Sequence, residues 1–113
     1  MIDGAVLAGY LAVGASRASG RVFDATANGL FDRLARAVAQ RVGRRAVEAV
    51  EDAPGDLARQ RLLGIEIDAV ARQDPYLAAE LTQLQRELDR RVGRRFIEAV
   101  QAIAHRAAEH RCR

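Results

Sequence analysis

The sequence contains no tryptophan and no lysine, and it has a single cysteine and only two prolines among its 113 residues. The lone Cys112 excludes a disulfide framework within the chain, which fits a reducing cytoplasm. Aromatic residues make up 4% of the chain, so the core must consist of alanine, leucine, valine and isoleucine, as in helix bundles. Half of the residues are hydrophobic, which excludes an intrinsically disordered chain.

The positive charge comes from arginine alone, because all 18 basic residues are arginines. Guanidinium groups recognise phosphate and carboxylate groups well, but 15 acidic residues reduce the formal net charge to +3. This balance gives no dominant basic field. GC-rich codons therefore explain the arginine bias more simply than a ligand does.

The length favours one domain over residues 1–113. The apolar run from Gly4 to Ala15 is preceded by Asp3 instead of a basic segment, which argues against a secretory signal. The run is also shorter than the ~20 residues that a membrane-spanning helix needs. These features predict a cytoplasmic protein.

The hydrophobic pattern predicts an all-α fold, a compact bundle of four to five helices. The first helix has Asp3 as its N-cap and runs to about Ala18, with small and apolar residues on all sides, among them Leu7 and Leu11. Such a helix belongs in the centre of a bundle or against another surface. Central burial is the preferred interpretation, and association with a membrane surface stays an alternative.

The next helix is expected from Val22 to about Gly43, uninterrupted at Asn28-Gly29 because the apolar period continues. A shorter helix then ends at the Pro54-Gly55 turn, and Asp56 caps a fourth helix. Gly64 and Ile65 indicate contact on two sides of this helix, and its predicted inner face consists of Leu57, Leu62 and Leu63, Ile67 and Val70.

Asp74-Pro75 predicts another helix start, a capping aspartate followed by proline at the first helical position. Leucines then recur at spacings of four, three and four, as in a bundle helix or a short coiled-coil seam. We expect them to lie in the core or in an interface: Leu77, Leu81, Leu84 and Leu88. The chain should bend or start a last helix at Gly93, with a basic, frayed tail from about residue 104.

One internal similarity stands out: RVGRRAVEAV from Arg41 to Val50 returns as RVGRRFIEAV from Arg91 to Val100. A duplicated helix–glycine–helix element would explain it. A chance match in a chain rich in alanine, arginine and valine would explain it equally well.

The sequence lacks a phosphate-binding loop, a dinucleotide-binding glycine fingerprint and an HExxH motif. His105, His110 and Cys112 are close in sequence, but the histidine spacing of five places the rings on different helix faces, and a fourth ligand for structural zinc is missing. We expect no enzyme activity, no metal site, no cofactor and no small-molecule substrate.

Nucleic acid is an alternative partner because arginines cluster at two helix junctions. The clusters are Arg41, Arg44 and Arg45, and Arg90, Arg91, Arg94 and Arg95. If both junctions faced the same way, they would form a stripe that contacts several phosphates. No aromatic residue is interleaved to stack on bases, so a charged, solubilising face is the preferred interpretation.

Several segments follow one another in a characteristic order between about residues 4 and 88. They are the small-residue first helix, Asp24-Ala25 through Leu30-Phe31-Asp32-Arg33-Leu34, the Glu51-Asp52-Ala53-Pro54 turn, a Leu/Ile helix, and Asp74-Pro75 through Leu81. In the order of these segments, the chain resembles the short all-helical N-terminal domains of actinobacterial conflict and signalling proteins. Those domains precede NLR-like or effector modules, or a disordered tail that resembles the RIP homotypic interaction motif.

The resemblance implies a non-catalytic domain for homotypic or adaptor-type interaction in a bacterial conflict or signalling system. The Gly/Ser/Asn/Gln-rich tail of that pattern does not follow here, where an arginine-rich helix is expected instead. The amyloid-forming part is therefore absent, and a signalling role would need a separate partner chain. We expect a homo-oligomer or a complex with an effector protein.

Overall fold

The computed structural model of the chain describes residues 2–16, 25–93, 95–98 and 101–102. Five helices have defined bounds: α1 (Gly4–Ser16), α2 (Ala25–Arg41), α3 (Arg44–Asp52), α4 (Leu57–Gln73) and α5 (Pro75–Arg91). Residues 95–98 and 101–102 are also helical, and these six residues, the last that the structure describes, are called the last helical segment. The described residues contain no strand, so the predicted all-α bundle is confirmed.

Three aspartates begin helices as the sequence predicts. Asp3 accepts hydrogen bonds from two backbone amides of the first turn of α1, at 3.1 and 3.4 Å. Asp56 does the same at the start of α4, at 3.0 and 3.3 Å. Asp74 accepts from the amide of Leu77 at 3.1 Å, with Pro75 at the first position of α5. Each side chain satisfies donors that have no partner within the helix.

Helix α1 lies at the centre of the bundle. All its residues from Val6 to Val13 are buried, and α4 is the helix that it contacts most. Glycines bring the two helices together: a Cβ atom on Gly4 would overlap the carbonyl oxygen of Gly64, and one on Gly64 would lie 3.1 Å from the backbone nitrogen of Ala5. The burial of these residues confirms the predicted central position of the first helix. Small residues allow the two helices to approach this closely.

Helix α2 continues through Asn28-Gly29 as predicted and ends at Arg41. The expected end of the first helix near Ala18 and the expected start of the second at Val22 lie outside the described residues. The tail from about residue 104 also lies outside them.

The two similar segments have similar structures over the residues that the structure describes in both. Helices α2 and α5 are both 17 residues long, and their first and last residues are fifty positions apart. The carbonyl oxygen of Val38 accepts hydrogen bonds from the amides of Val42 and Gly43, and that of Leu88 accepts from Val92 and Gly93. A helix therefore ends in the same way in both places.

Burial repeats with the same shift of fifty residues. Gly43 and Gly93 both have positive φ angles, 154° and 98°, a backbone conformation that favours glycine. Helix α3 begins at Arg44, directly after Gly43, and residues 95–98 are helical after Gly93. The corresponding buried residues are Ala27 and Leu77, Phe31 and Leu81, Leu34 and Leu84, Val38 and Leu88, and Val47 and Ile97. The two similar sequences thus have similar helix ends, a similar glycine conformation and corresponding buried residues wherever the structure describes both.

Candidate interaction surface

The leucines expected in the core or in an interface all lie in the core. Leu7, Leu77, Leu81, Leu84 and Leu88 are buried, and so is Leu11. They belong to one hydrophobic cluster that extends through every defined helix. A partner cannot reach them without unfolding the domain, so an interaction surface must be sought on the outside of the helices.

The described residues of the two arginine clusters are exposed, and Arg41 lies far from Arg90 and Arg91. Arg41, at the end of α2, binds Asp74 before the start of α5, with 2.6 Å between Nη1 and Oδ2. Arg90 and Arg91 lie at the opposite end of α5, about 25 Å away at 1.5 Å per residue. Arg41 therefore does not form one contiguous patch with Arg90 and Arg91. Arg44, Arg45 and Arg95 are exposed, and Arg94 lies outside the described residues.

The environment of Asp74 lowers the pKa of its carboxyl group. The hydrogen bond from the Leu77 amide is the largest cause, and the nearby Arg41 guanidinium adds to it. Both favour the ionised carboxylate. The Asp74 carboxylate thus takes part in both the ion pair and the helix cap. Through it, the end of α2 contacts the beginning of α5.

The membrane alternative rested on the first helix, whose apolar side chains are buried within the bundle. Among the described residues, no helix has both the length and the apolar character needed to cross a membrane. The surface that would have entered a lipid headgroup layer is occupied by α4 and its neighbours.

A cleft of about 440 Å³ opens between α1, α4 and the last helical segment. Its polar lining is held by hydrogen bonds: the Gln60 amide donates to the Pro54 carbonyl oxygen at 2.7 Å and accepts from Gln101 at 3.2 Å. Arg61 and Glu98 also line it. In the part of the chain that the structure describes, no group of acids, histidines or cysteines could hold a metal ion. His105, His110 and Cys112 are outside that part.

The outward face of α4 carries an apolar ridge. Leu62 and Ile65 are 62% and 66% exposed, and Ala58 and Ala69 are exposed on the same side. We call these four residues the α4 ridge. The buried residues of α4 lie on its opposite side: Gln60, Leu63, Gly64, Ile67 and Ala71. The prediction that both Leu62 and Leu63 lie on the inner face is right for Leu63 and wrong for Leu62, which points outward because it lies about 100° around the helix from Leu63.

Sequence reasoning missed this ridge, although its signal is present. Positions 58, 62, 65 and 69 are spaced four, three and four apart, the same spacing as the buried leucines of α5. Ile65 indicates contact on a second side, but alanines at both ends of the pattern give little sequence signal for a ridge four residues long. Among the described residues, Tyr76 is the third large exposed apolar side chain, at 82%, but it lies beyond the break at Asp74 and outside the ridge.

Charged side chains flank the ridge on both sides. With 100° of rotation per residue, Arg59 and Glu66 lie along one edge, and Arg61 and Asp68 lie along the other. Asp68 is half-buried and accepts a hydrogen bond from the Gly4 amide at 3.0 Å. Arg59 donates to the carbonyl oxygen of Ala49 at 2.9 Å. An apolar strip with charged edges is the usual form of a helix that packs against another helix.

No known protein family, curated protein or solved structure gives a significant match to this chain.

Proposed function

We propose that this chain is a non-catalytic protein–protein interaction domain, of the adaptor or oligomerisation type. The observation that carries the proposal is the α4 ridge, where Leu62 and Ile65 expose most of their apolar surface next to one another. Single exposed apolar residues are common on protein surfaces, but a continuous strip on one helix face is typical of a binding site.

The other features of the bundle are compatible with this function. The leucines of α5 and most of the apolar residues of α1 are buried in the core. Helix α4 differs, because it has one apolar face in the core and a second apolar face that is exposed. The resemblance to actinobacterial conflict and signalling domains supports an adaptor role, and the cysteine usage supports a cytoplasmic location.

Site-specific photo-crosslinking in cells that express the chain tests this proposal. A photo-reactive amino acid at position 65, on the ridge, should give a covalent adduct with a protein partner, whether that partner is another copy or a different chain. The same group at position 48, on the exposed side of α3, should give none. Absence of any adduct at position 65 would rule the proposed function out.

A further inference from the structure

We propose that the α4 ridge binds the α4 ridge of a second copy of this chain, with the two helices antiparallel about a twofold axis. This inference rests on the proposed function and specifies its partner.

The apolar residues fit this arrangement. In coiled-coil terms, positions 58, 62, 65 and 69 are alternating d and a positions of a heptad. Antiparallel pairing centred between Leu62 and Ile65 places Leu62 of one copy against Ile65 of the other, and Ala58 against Ala69. The large side chains meet at the centre, and the small ones meet at both ends.

The charged edges favour a second copy over an unrelated partner. In an antiparallel pair, each edge of one helix faces the same edge of the other. Arg59 therefore faces Glu66 of the second copy, and Arg61 faces Asp68. Twofold symmetry doubles both pairs, which gives four pairs of opposite charge and no pair of like charge.

Antiparallel pairing matches the charges better than parallel pairing does. In a parallel pair the two edges face each other crosswise, so Arg61 would face Glu66 of the second copy. Arg59 and Asp68 would then face Pro54 and Gln73, which carry no charge. Arg59 can keep its hydrogen bond to the Ala49 carbonyl oxygen and also pair with Glu66 of the second copy, because a guanidinium group has five N–H donors.

The contact is small, since two large side chains from each copy form its centre. Stable interfaces bury at least about 1,200 Å², and a single helix pair of this length buries less. We therefore expect a dimer that forms at high protein concentration and dissociates on dilution.

Charge-reversal variants test the pairing by light scattering coupled to size exclusion over a hundredfold concentration range. Arg59→Glu alone and Glu66→Arg alone should each raise the dimer dissociation constant about tenfold, because each places two like-charged pairs at the contact. An equimolar mixture of the two variants should dimerise like the wild-type chain, since both pairs become complementary again. The double variant Arg59→Glu/Glu66→Arg should also dimerise.

Arg36→Glu is the matched control, because it reverses an exposed charge on α2 and should leave the dissociation constant unchanged. Far-UV circular dichroism checks that every variant is folded. An unchanged dimer of Arg59→Glu would overturn the antiparallel pairing, and a wild-type monomer at every concentration would overturn self-association. In either case an adduct of position 65 with a different protein would leave the proposed function standing.

Discussion

At the scale of single residues, Asp74 combines two interactions that are usually made by different side chains. It caps α5 and it pairs with Arg41 from the end of α2. The cap is local, whereas the ion pair joins residues 33 positions apart. The charge state of one carboxyl group therefore affects both a helix start and the packing of two helices.

This arrangement predicts an acid-sensitive contribution to stability. The pKa of Asp74 is lowered in the folded state from its ordinary value of 3.8. A carboxyl group with a lowered pKa contributes its full stabilisation at pH values above its ordinary pKa. This contribution to stability disappears as the pH falls through the pKa of the folded state. Denaturant unfolding between pH 6 and pH 2 should show a smaller loss of stability for Asp74→Asn than for the wild-type chain.

Asn is an effective N-cap, so this variant keeps the cap while it removes the titrating group. Asp56→Asn, at the start of α4, is the control for replacing a capping aspartate. An identical pH dependence for the wild-type chain and Asp74→Asn would contradict the prediction.

Two helical glycines should respond oppositely to substitution by alanine. Gly29 in α2 has no atom within 4 Å of an added Cβ, so Gly29→Ala should raise the free energy of unfolding by about 0.5–1 kcal/mol. Gly64→Ala should lower it, because the added Cβ would press against the backbone of α1 at 3.1 Å. Equilibrium unfolding in urea measures both. A gain in stability at Gly64 would show that α1 and α4 separate easily.

At the scale of elements, α4 and α5 carry apolar residues at the same spacing but in different surroundings. The leucines of α5 face the core, whereas the α4 ridge faces outward and Leu63 and Ile67 face the core. Equal spacing therefore predicts that side chains share a face. It does not predict whether the protein's own chain covers that face.

Paired truncations distinguish these surroundings. Leu81→Ala should lower the free energy of unfolding by about 2–5 kcal/mol, because it opens a cavity in a close-packed core. Leu62→Ala should change it by less than about 0.5 kcal/mol, because the side chain is mostly exposed. Chemical denaturation of dilute protein measures both effects without a contribution from association. Equal losses would mean that the ridge is covered within one chain.

Local signals in the sequence were sufficient for most of the helix starts and for the core leucines. Asp56, Asp74-Pro75 and the continuity of α2 through Asn28-Gly29 depend on short-range chemistry, which can be read from neighbouring residues. The α4 ridge and the separation of the arginine clusters depend on how helices pack. The contact between Arg41 and Asp74 shows this, because nothing near either residue in the sequence indicates the other.

At the scale of the whole molecule, the bundle consists of two halves that depend on each other. Helix α1 packs chiefly against α4, and the main partner of α2 is α5. The loop from Ala53 to Asp56 joins the halves. One of the two similar helix–glycine–helix segments thus lies in each half, and the core lies between them.

Neither half should therefore fold alone. Fragments 1–53 and 54–113 should each show low helicity by far-UV circular dichroism, because each loses the helices that cover its apolar residues. An equimolar mixture should regain helicity and a cooperative thermal transition. A stable, cooperatively melting fragment would show that one half has a core of its own.

The position of α1 in the chain has a consequence for synthesis on the ribosome. Gly4 packs against Gly64, and the Tyr10 hydroxyl donates to Asp89. Helix α1, the most apolar of the helices with defined bounds, is therefore translated well before α4 and α5, whose residues pack against it. At about 5–20 residues per second, α1 remains uncovered for several seconds, a period in which a nascent-chain chaperone would have its strongest binding site on this protein.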